Sequence, residues 1–478
     1  MRDQSRDKSP FFLKNLGKGL NLLPTDTTPR ILLFFFAIPL QLIALAVSGT
    51  GYATGGAVYW LAGIILWLLW FFIMFLIVIP RTDTLLQRHR GWLKQGAKII
   101  FITLLIVGIA EGAILGFFAP GYLSSGATND FAQSLEEMQR GFQYNDGVAL
   151  IHQAAENLLD GKNPYAHANI IEAFIKYEGS YDRATPLQVG RFANVFPYPT
   201  QEQFTQIWDS AIQNPSQPPP ELESNVCYPA GSFLLVAPFI AAGTNDIRII
   251  YIIFVIAGLI YAAWQIPGRK RLLFIGIVLI SLEIWNGLAI GETGSMIFPF
   301  LLIAWVALGE KNWLSAIFMG LAVTTKQTAW FFLPFYIILL WRTAQPKTVA
   351  ATIGIIAAIF VSFNAYFIIN DPALWLRSIA SPMAEPMFPL GVGFISLVTS
   401  GLINVQTSLP FTILELIVFI VAIVWYVRNC VRYPEAGLVL AVLPLFFAWR
   451  SLWTYFFYIS IIILARMLTK EPNKLGEV

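Results

Sequence analysis

Residues 57–79 read AVYWLAGIILWLLWFFIMFLIVI, twenty-three positions without a charged side chain. A helix needs about 20 apolar residues to cross the hydrocarbon core of a bilayer, so this run is long enough to cross alone. Its neighbours at 31–49 and 98–118 are similar, and further apolar runs follow at 247–266, 272–289, 295–309, 313–325, 328–341, 348–369, 411–427, 436–449 and 453–468. The expected class is therefore an all-α polytopic membrane protein with about 12 transmembrane helices, 12–14 if 232–243 and 391–404 also span. Composition agrees: 56% of the 478 residues are hydrophobic and 12% charged, far from the balance of a soluble domain.

Charge sets the expected orientation. The first 30 residues carry six basic side chains, and Arg81, Arg88, Arg90 and Lys94 lie between the second and third runs. Basic connections stay in the cytoplasm, which places both segments inside and sends the third helix outward. Residues 119–227 then carry thirteen acidic and five basic side chains, in keeping with an outer loop. Prolines within 196–200 and 214–221 forbid long helices there, so short surface helices and extended links are predicted, with no separate core. Arg269, Lys270 and Arg271 must return inside, which leaves 232–243 as a half-helix or interfacial helix on the outer side. With that parity Lys311, Arg342, Lys347, Arg428, Arg432, Arg466, Lys470 and Lys474 all fall inside, and both termini are cytoplasmic. The short runs 313–325 and 328–341 form a hairpin whose tip, Thr324-Thr325-Lys326-Gln327, lies below the outer surface. Residues 370–393, with Arg377 and Glu385, form a second outer loop. The expected location is a cell membrane, of the bacterial cytoplasmic kind, with the active site on its outer face.

Inside the first loop, residues 144–165 read YNDGVALIHQAAENLLDGKNPY. Val148, Ala149, Ile151, Ala155, Leu158 and Leu159 recur at mostly helical spacing, Gly161 marks a stop and Pro164 lies just beyond. Asp146 stands at the mouth of that helix. An Asp there has a plain explanation as a cap for the free amides of the first turn, and capping and catalysis both stand as readings. His152 is six residues on, about 240° around the helix from the Asp, and reads as structural.

An Asp, an Ala-rich helix and then Leu-Leu-x-Gly-x-x-Pro-Tyr resemble the first outer loop of glycosyltransferase family 87 and its relatives with the GT-C fold. The resemblance runs over about 98–468, so the chain divides into 1–97, a tail plus an extra transmembrane hairpin, and 98–478, a GT-C-like catalytic domain. It implies that Asp146 is the general base. Lys326, which precedes the apolar run Phe331-Phe332-Leu333-Pro334, resembles a family Lys that implies binding of the phosphate of a lipid carrier, and a Lys that snorkels to the interface or pairs with a nearby Glu stands beside that reading. Arg450, in the aromatic stretch Trp449 to Tyr455, is the second candidate for that phosphate through its paired donors. Glu292 stands where relatives carry Gly-Gln or Gly-Asn; orienting a sugar hydroxyl, pairing with Lys326 and a plain turn role all stand for it. Gln327, Tyr165, His167 and Arg377 complete the candidate substrate-binding set.

The resemblance implies a donor activated on polyprenyl phosphate and a glycan, lipid or protein acceptor, with inversion at the sugar. No Gly-rich phosphate loop suggests a nucleotide sugar. The net charge of +3 and its even spread give no reason to expect nucleic acid. No His or Cys pair stands at ligand spacing, so no metal site is predicted, and a divalent ion on Asp146, Asp130 or Glu137 has no support in the sequence. No cofactor is expected. The alternative class is a transporter or lipid flippase, which would call for inverted repeats and matching broken helices; no convincing repeat is visible.

Overall fold

A computed structural model describes residues 23, 24, 26–122, 143–179 and 181–470, and for 113–122 only the backbone path. Asp130 and Glu137 lie outside the described residues. Helix makes up 72% of the described residues, and the only sheet among them is one pair of two-residue strands, which settles the class as all-α.

The chain opens with Pro29–Thr54 (α1), Ala57–Val78 (α2) and Arg90–Tyr122 (α3). After the undescribed part come Asp146–Leu159 (α4), Ile170–Tyr177 (α5) and Gln201–Ala211 (α6). The bundle resumes with Arg248–Gln265 (α7), Gly268–Ile280 (α8), Leu282–Ala289 (α9), Gly294–Ala307 (α10), Asn312–Thr325 (α11) and Thr328–Thr343 (α12). Pro346–Asn370 (α13), Pro372–Ala384 (α14), Leu409–Asn429 (α15), Ala436–Val442 (α16) and Ile459–Thr469 (α17) complete it. Residues 232–243 form two short helical segments, Gly231–Leu234 and Ala237–Ala241.

Length and burial sort these helices into two kinds. Six stretches are each long and apolar enough to cross a membrane: α1, α2, Arg81–Gly112, α7, α13 and α15. Their most apolar windows are only 17% to 56% buried, so much of their apolar surface faces outward, where lipid is the matching solvent. The shorter α10 has all fourteen residues buried, and α17 nearly all. Short helices thus form the middle and long ones the rim of a multi-pass membrane protein. The twelve expected spans resolve into these six, one bent pair and a set of shorter apolar helices.

Three expectations are corrected. The run 272–289 is not one helix: α8 and α9 meet at 54° around Ser281, whose φ −83°, ψ 73° is not helical. Ser281 Oγ donates to the Ile277 carbonyl and Trp285 Nε1 to that of Val278, and these bonds satisfy oxygens near the break. The run 453–468 starts its helix only at Ile459, because Arg450–Ser451 pairs as a parallel strand with Leu390–Gly391. Gly391 makes this possible, since at φ 137° an added Cβ would lie 2.1 Å from the Ser451 carbonyl oxygen. The first loop helix is also no surface helix. Ten residues of α4 are buried, including Val148, Ile151 and Ala155, and they join the main core of the bundle.

Candidate active site

Helix α4 starts where sequence placed it, but its cap is one residue earlier. Asn145, at φ −82° and ψ 171°, accepts from the Val148 amide at 2.9 Å and is the N-cap. Asp146 is the first helical residue and not the N-cap. Its Oδ1 accepts from the Gly147 amide at 2.7 Å and its Oδ2 from the Thr185 amide at 2.9 Å. A negative charge is favoured at a helix N-terminus, and two backbone donors hold these oxygens in place. A carboxylate has about four lone-pair positions, so two remain for a substrate hydroxyl.

An anchoring network fixes this helix mouth against the bundle. Tyr144 donates its hydroxyl to Asp246 at 2.8 Å and accepts from the Ile247 amide at 3.0 Å. Arg248 chelates Asp246, lies over the Tyr144 ring at 5.0 Å and donates to the Ala289 carbonyl at 2.8 Å, at the end of α9. The same network therefore holds Asp146 and the turn Gly291-Glu292-Thr293. Gly291 sits at φ 73°, and a Cβ there would meet Val148 at 2.8 Å, so only glycine lets α4 and the turn approach.

The turn brings in the next groups. Asn145 Nδ2 donates to Glu292 Oε1 at 3.2 Å. Lys326, at the tip between α11 and α12, is buried, hydrogen-bonds Thr293 Oγ1 and places its ammonium 5.5 Å from the centre of the Tyr228 ring. Lys326, Asp146 and Arg183 all act electrostatically on Glu292. Gln327 spends its amide on the Cys227 and Ile379 carbonyls, which pins the end of the first loop and α14 to the hairpin tip.

Arg450 closes the site from the strand pair. Its Nη2 donates to Thr185 Oγ1 at 3.5 Å, and its Nη1 is buried with no hydrogen-bond partner among the described residues. Trp449 donates to the Met387 carbonyl at 2.7 Å, and Tyr52 of α1 to the Gly391 carbonyl at 3.0 Å, so the N-terminal hairpin buttresses this strand pair. Arg450 and Asp146 both act on Tyr198.

The structure thus brings together Asp146, Glu292, Lys326 and Arg450. It does not bring in Tyr165, His167 or Arg377. Tyr165 is buried between Phe233 and Phe367 and donates to the Tyr228 carbonyl at 2.9 Å, a packing role. His167 is exposed, with Nδ1 at 3.0 Å from the Asn163 carbonyl, and Arg377 is exposed on α14. His152 stacks on Tyr177 at 4.1 Å, in the structural role expected of it.

Sequence reasoning missed Asn145, Arg183, Thr185, Glu223, Tyr228 and Thr293. Thr185 is the hub: its amide binds Asp146, its hydroxyl Arg450, and its carbonyl the Glu223 amide at 2.9 Å. Burial pushes the Glu223 carboxyl up to about 7; the Asn225 amide opposes this, and the negative charges of Glu385 and Asp146 add to it. Among the described residues no group of three His, Cys, Asp or Glu is placed to hold a metal ion.

Residues 226–449 match the family model of glycosyltransferase family 87. The matched segment holds Tyr228, Glu292, Thr293 and Lys326, ends one residue before Arg450 and does not reach Asp146. No curated protein and no solved structure matches the chain.

Proposed function

We propose that this chain, whose residues 226–449 match the family model of glycosyltransferase family 87, is a membrane glycosyltransferase that moves a sugar from a polyprenyl-phosphate donor to an acceptor on the outer face of the membrane, with inversion. The supporting observation is the gathering of one half-buried carboxylate, Asp146, and two cations, Lys326 and Arg450, around Thr185 and Thr293. Asp146 takes the proton of the acceptor hydroxyl as that oxygen forms its bond to the anomeric carbon. The bond from that carbon to the lipid phosphate oxygen breaks, and its electron pair leaves with the phosphate. General-base help of this kind is worth about 10² to 10⁴-fold in rate.

The departing phosphate gathers negative charge, and Lys326 and Arg450 are preorganised to meet it. Lys326 is held by Thr293 and the Tyr228 ring, so little reorganisation is needed at the moment of transfer. Arg450 offers a buried, unpaired N–H on the far side of Thr185. Glu292 balances the cations and keeps one oxygen on Asn145, next to the base.

The test is transfer by purified protein in membranes or detergent, with a panel of radiolabelled polyprenyl-phosphate sugars and, alongside, nucleotide sugars. Product from a lipid-linked donor alone is expected. Product from a nucleotide sugar alone would remove the donor assignment, and substrate export without any glycosidic product would favour the transporter reading.

A further inference from the structure

The transfer chemistry above leaves Glu223 without a task. Glu223 is 4% exposed and lies at the end of the first loop. Its Oε1 accepts from the Asn225 amide at 2.8 Å, while its Oε2 is buried without a hydrogen-bond partner among the described residues. A buried carboxylate oxygen left unpaired is costly, and native structures hold few such atoms.

Its place in the chain path links it to the reacting groups. The Glu223 amide donates to the Thr185 carbonyl at 2.9 Å, and the Thr185 amide donates to Asp146 Oδ2 at 2.9 Å. One residue therefore stands between the two carboxylates. Arg450, on the Thr185 hydroxyl, holds the complementary unpaired donor. The unsatisfied acceptor and the unsatisfied donor, both buried, thus belong to two residues that each bond Thr185, the residue that also holds the proposed base. A phosphate satisfies only the donor, and an apolar chain neither. A sugar satisfies both, since each hydroxyl has one hydrogen to give and two lone pairs to receive.

We propose that Glu223 is a sugar-binding residue of this site: its Oε2 accepts a hydrogen bond from one ring hydroxyl of the transferred sugar or of a glycan acceptor. The inference rests on the glycosyltransferase reading and adds to it a residue that selects among sugars. A site built to bond a hydroxyl rejects the analogue that lacks it, because the protein group is then left unpaired.

The experiment compares purified full-length wild type with Glu223→Met and Glu223→Ala. Substrates are the polyprenyl-phosphate sugar that the donor panel identifies, its monodeoxy analogues, and a parallel series of monodeoxy acceptors. Against wild type, one analogue is expected to lose about tenfold or more in kcat/KM. Against both variants, that analogue loses nothing further, and the series it belongs to tells donor from acceptor. A purely structural role would lower activity on all substrates alike and leave each deoxy penalty unchanged, and that pattern overturns the proposal. Both variants give up the Asn225 amide bond along with the buried carboxylate, and Glu223→Met, of similar length, carries the comparison if Glu223→Ala does not fold. A wild type without transferase activity sinks the glycosyltransferase reading itself, and this inference falls with it; a wild type that transfers sugar with no deoxy penalty tied to Glu223 sinks this inference alone.

Discussion

The two arms of the site are built by different physics. On the loop arm, Asp146 and Glu223 are positioned by backbone amides, two on the first and one on the second, so the path of the chain sets their geometry. On the helix-turn arm, Lys326 and Glu292 sit at the ends of short, buried helices and are positioned by side chains, Thr293 for one and Asn145 for the other. The difference fits the proposed division of labour between the arms. A cation locked into the bundle suits a ligand anchored in the membrane, while a carboxylate on a loop suits an acceptor that comes and goes.

The largest effect expected of a single change falls on the loop arm. Asp146→Asn keeps the shape but has a single acceptor oxygen, so it removes the base and also one of the two bonds from the Gly147 and Thr185 amides, and transfer rates should drop about 10² to 10⁴-fold. The helix start should survive, because Asn145 holds the cap, while the lost backbone bond lowers stability by about 1 kcal/mol. Full activity in this variant would move the base elsewhere and break the division between the arms.

The next is a pH effect. The Glu223 carboxyl is raised from 4.5 to about 7 in the folded protein, so folding favours its protonated form. Its contribution to stability is fully present below pH 4.5 and is lost as pH rises through about 7, a span worth about 3 kcal/mol. Glu385 and Asp146 are the charged neighbours that act on it. Thermal unfolding from pH 4.5 to 8 should therefore slope downward more steeply for wild type than for Glu223→Gln. Parallel slopes would contradict the burial of this group.

A wedge at the seam between the arms comes third. Gly231 lies against the hairpin tip, and a Cβ there would sit 2.5 Å from the Thr324 carbonyl oxygen. Gly231→Ala must push backbone apart, at about 1 to 3 kcal/mol, and should lower activity with stability. The smallest effect belongs to Tyr165→Phe, which loses one hydrogen bond to the Tyr228 carbonyl and about 1 kcal/mol, with little change in KM. A large KM change would return Tyr165 to the substrate-binding set.

Legibility in the sequence follows the same divide. The rim helices α1, α2, α13 and α15 were readable because length and hydropathy are local properties. The inner helices are as apolar but only 11 to 16 residues long, so their number and the break at Ser281 depend on packing that no window of sequence contains. Asp146 and Lys326 were found through a resemblance, each beside a recognisable pattern. Asn145 was missed because Asn and Asp are both good caps and stand side by side in the stretch Asn145-Asp146. Thr185 and Glu223 carry no signal at all: they are recruited by hydrogen bonds between segments 39 and 38 residues apart. The exposure of His167 and the buried ring of Tyr165 were equally beyond a reading of composition and spacing.

The most direct measurement of the division between the arms is the affinity of a polyprenyl phosphate, without its sugar, for wild type, Lys326→Met and Asp146→Asn. Loss of about tenfold or more in Lys326→Met, with Asp146→Asn binding as wild type does, is the expected result. Equal affinity in Lys326→Met and wild type, or an equal loss in both variants, would contradict it.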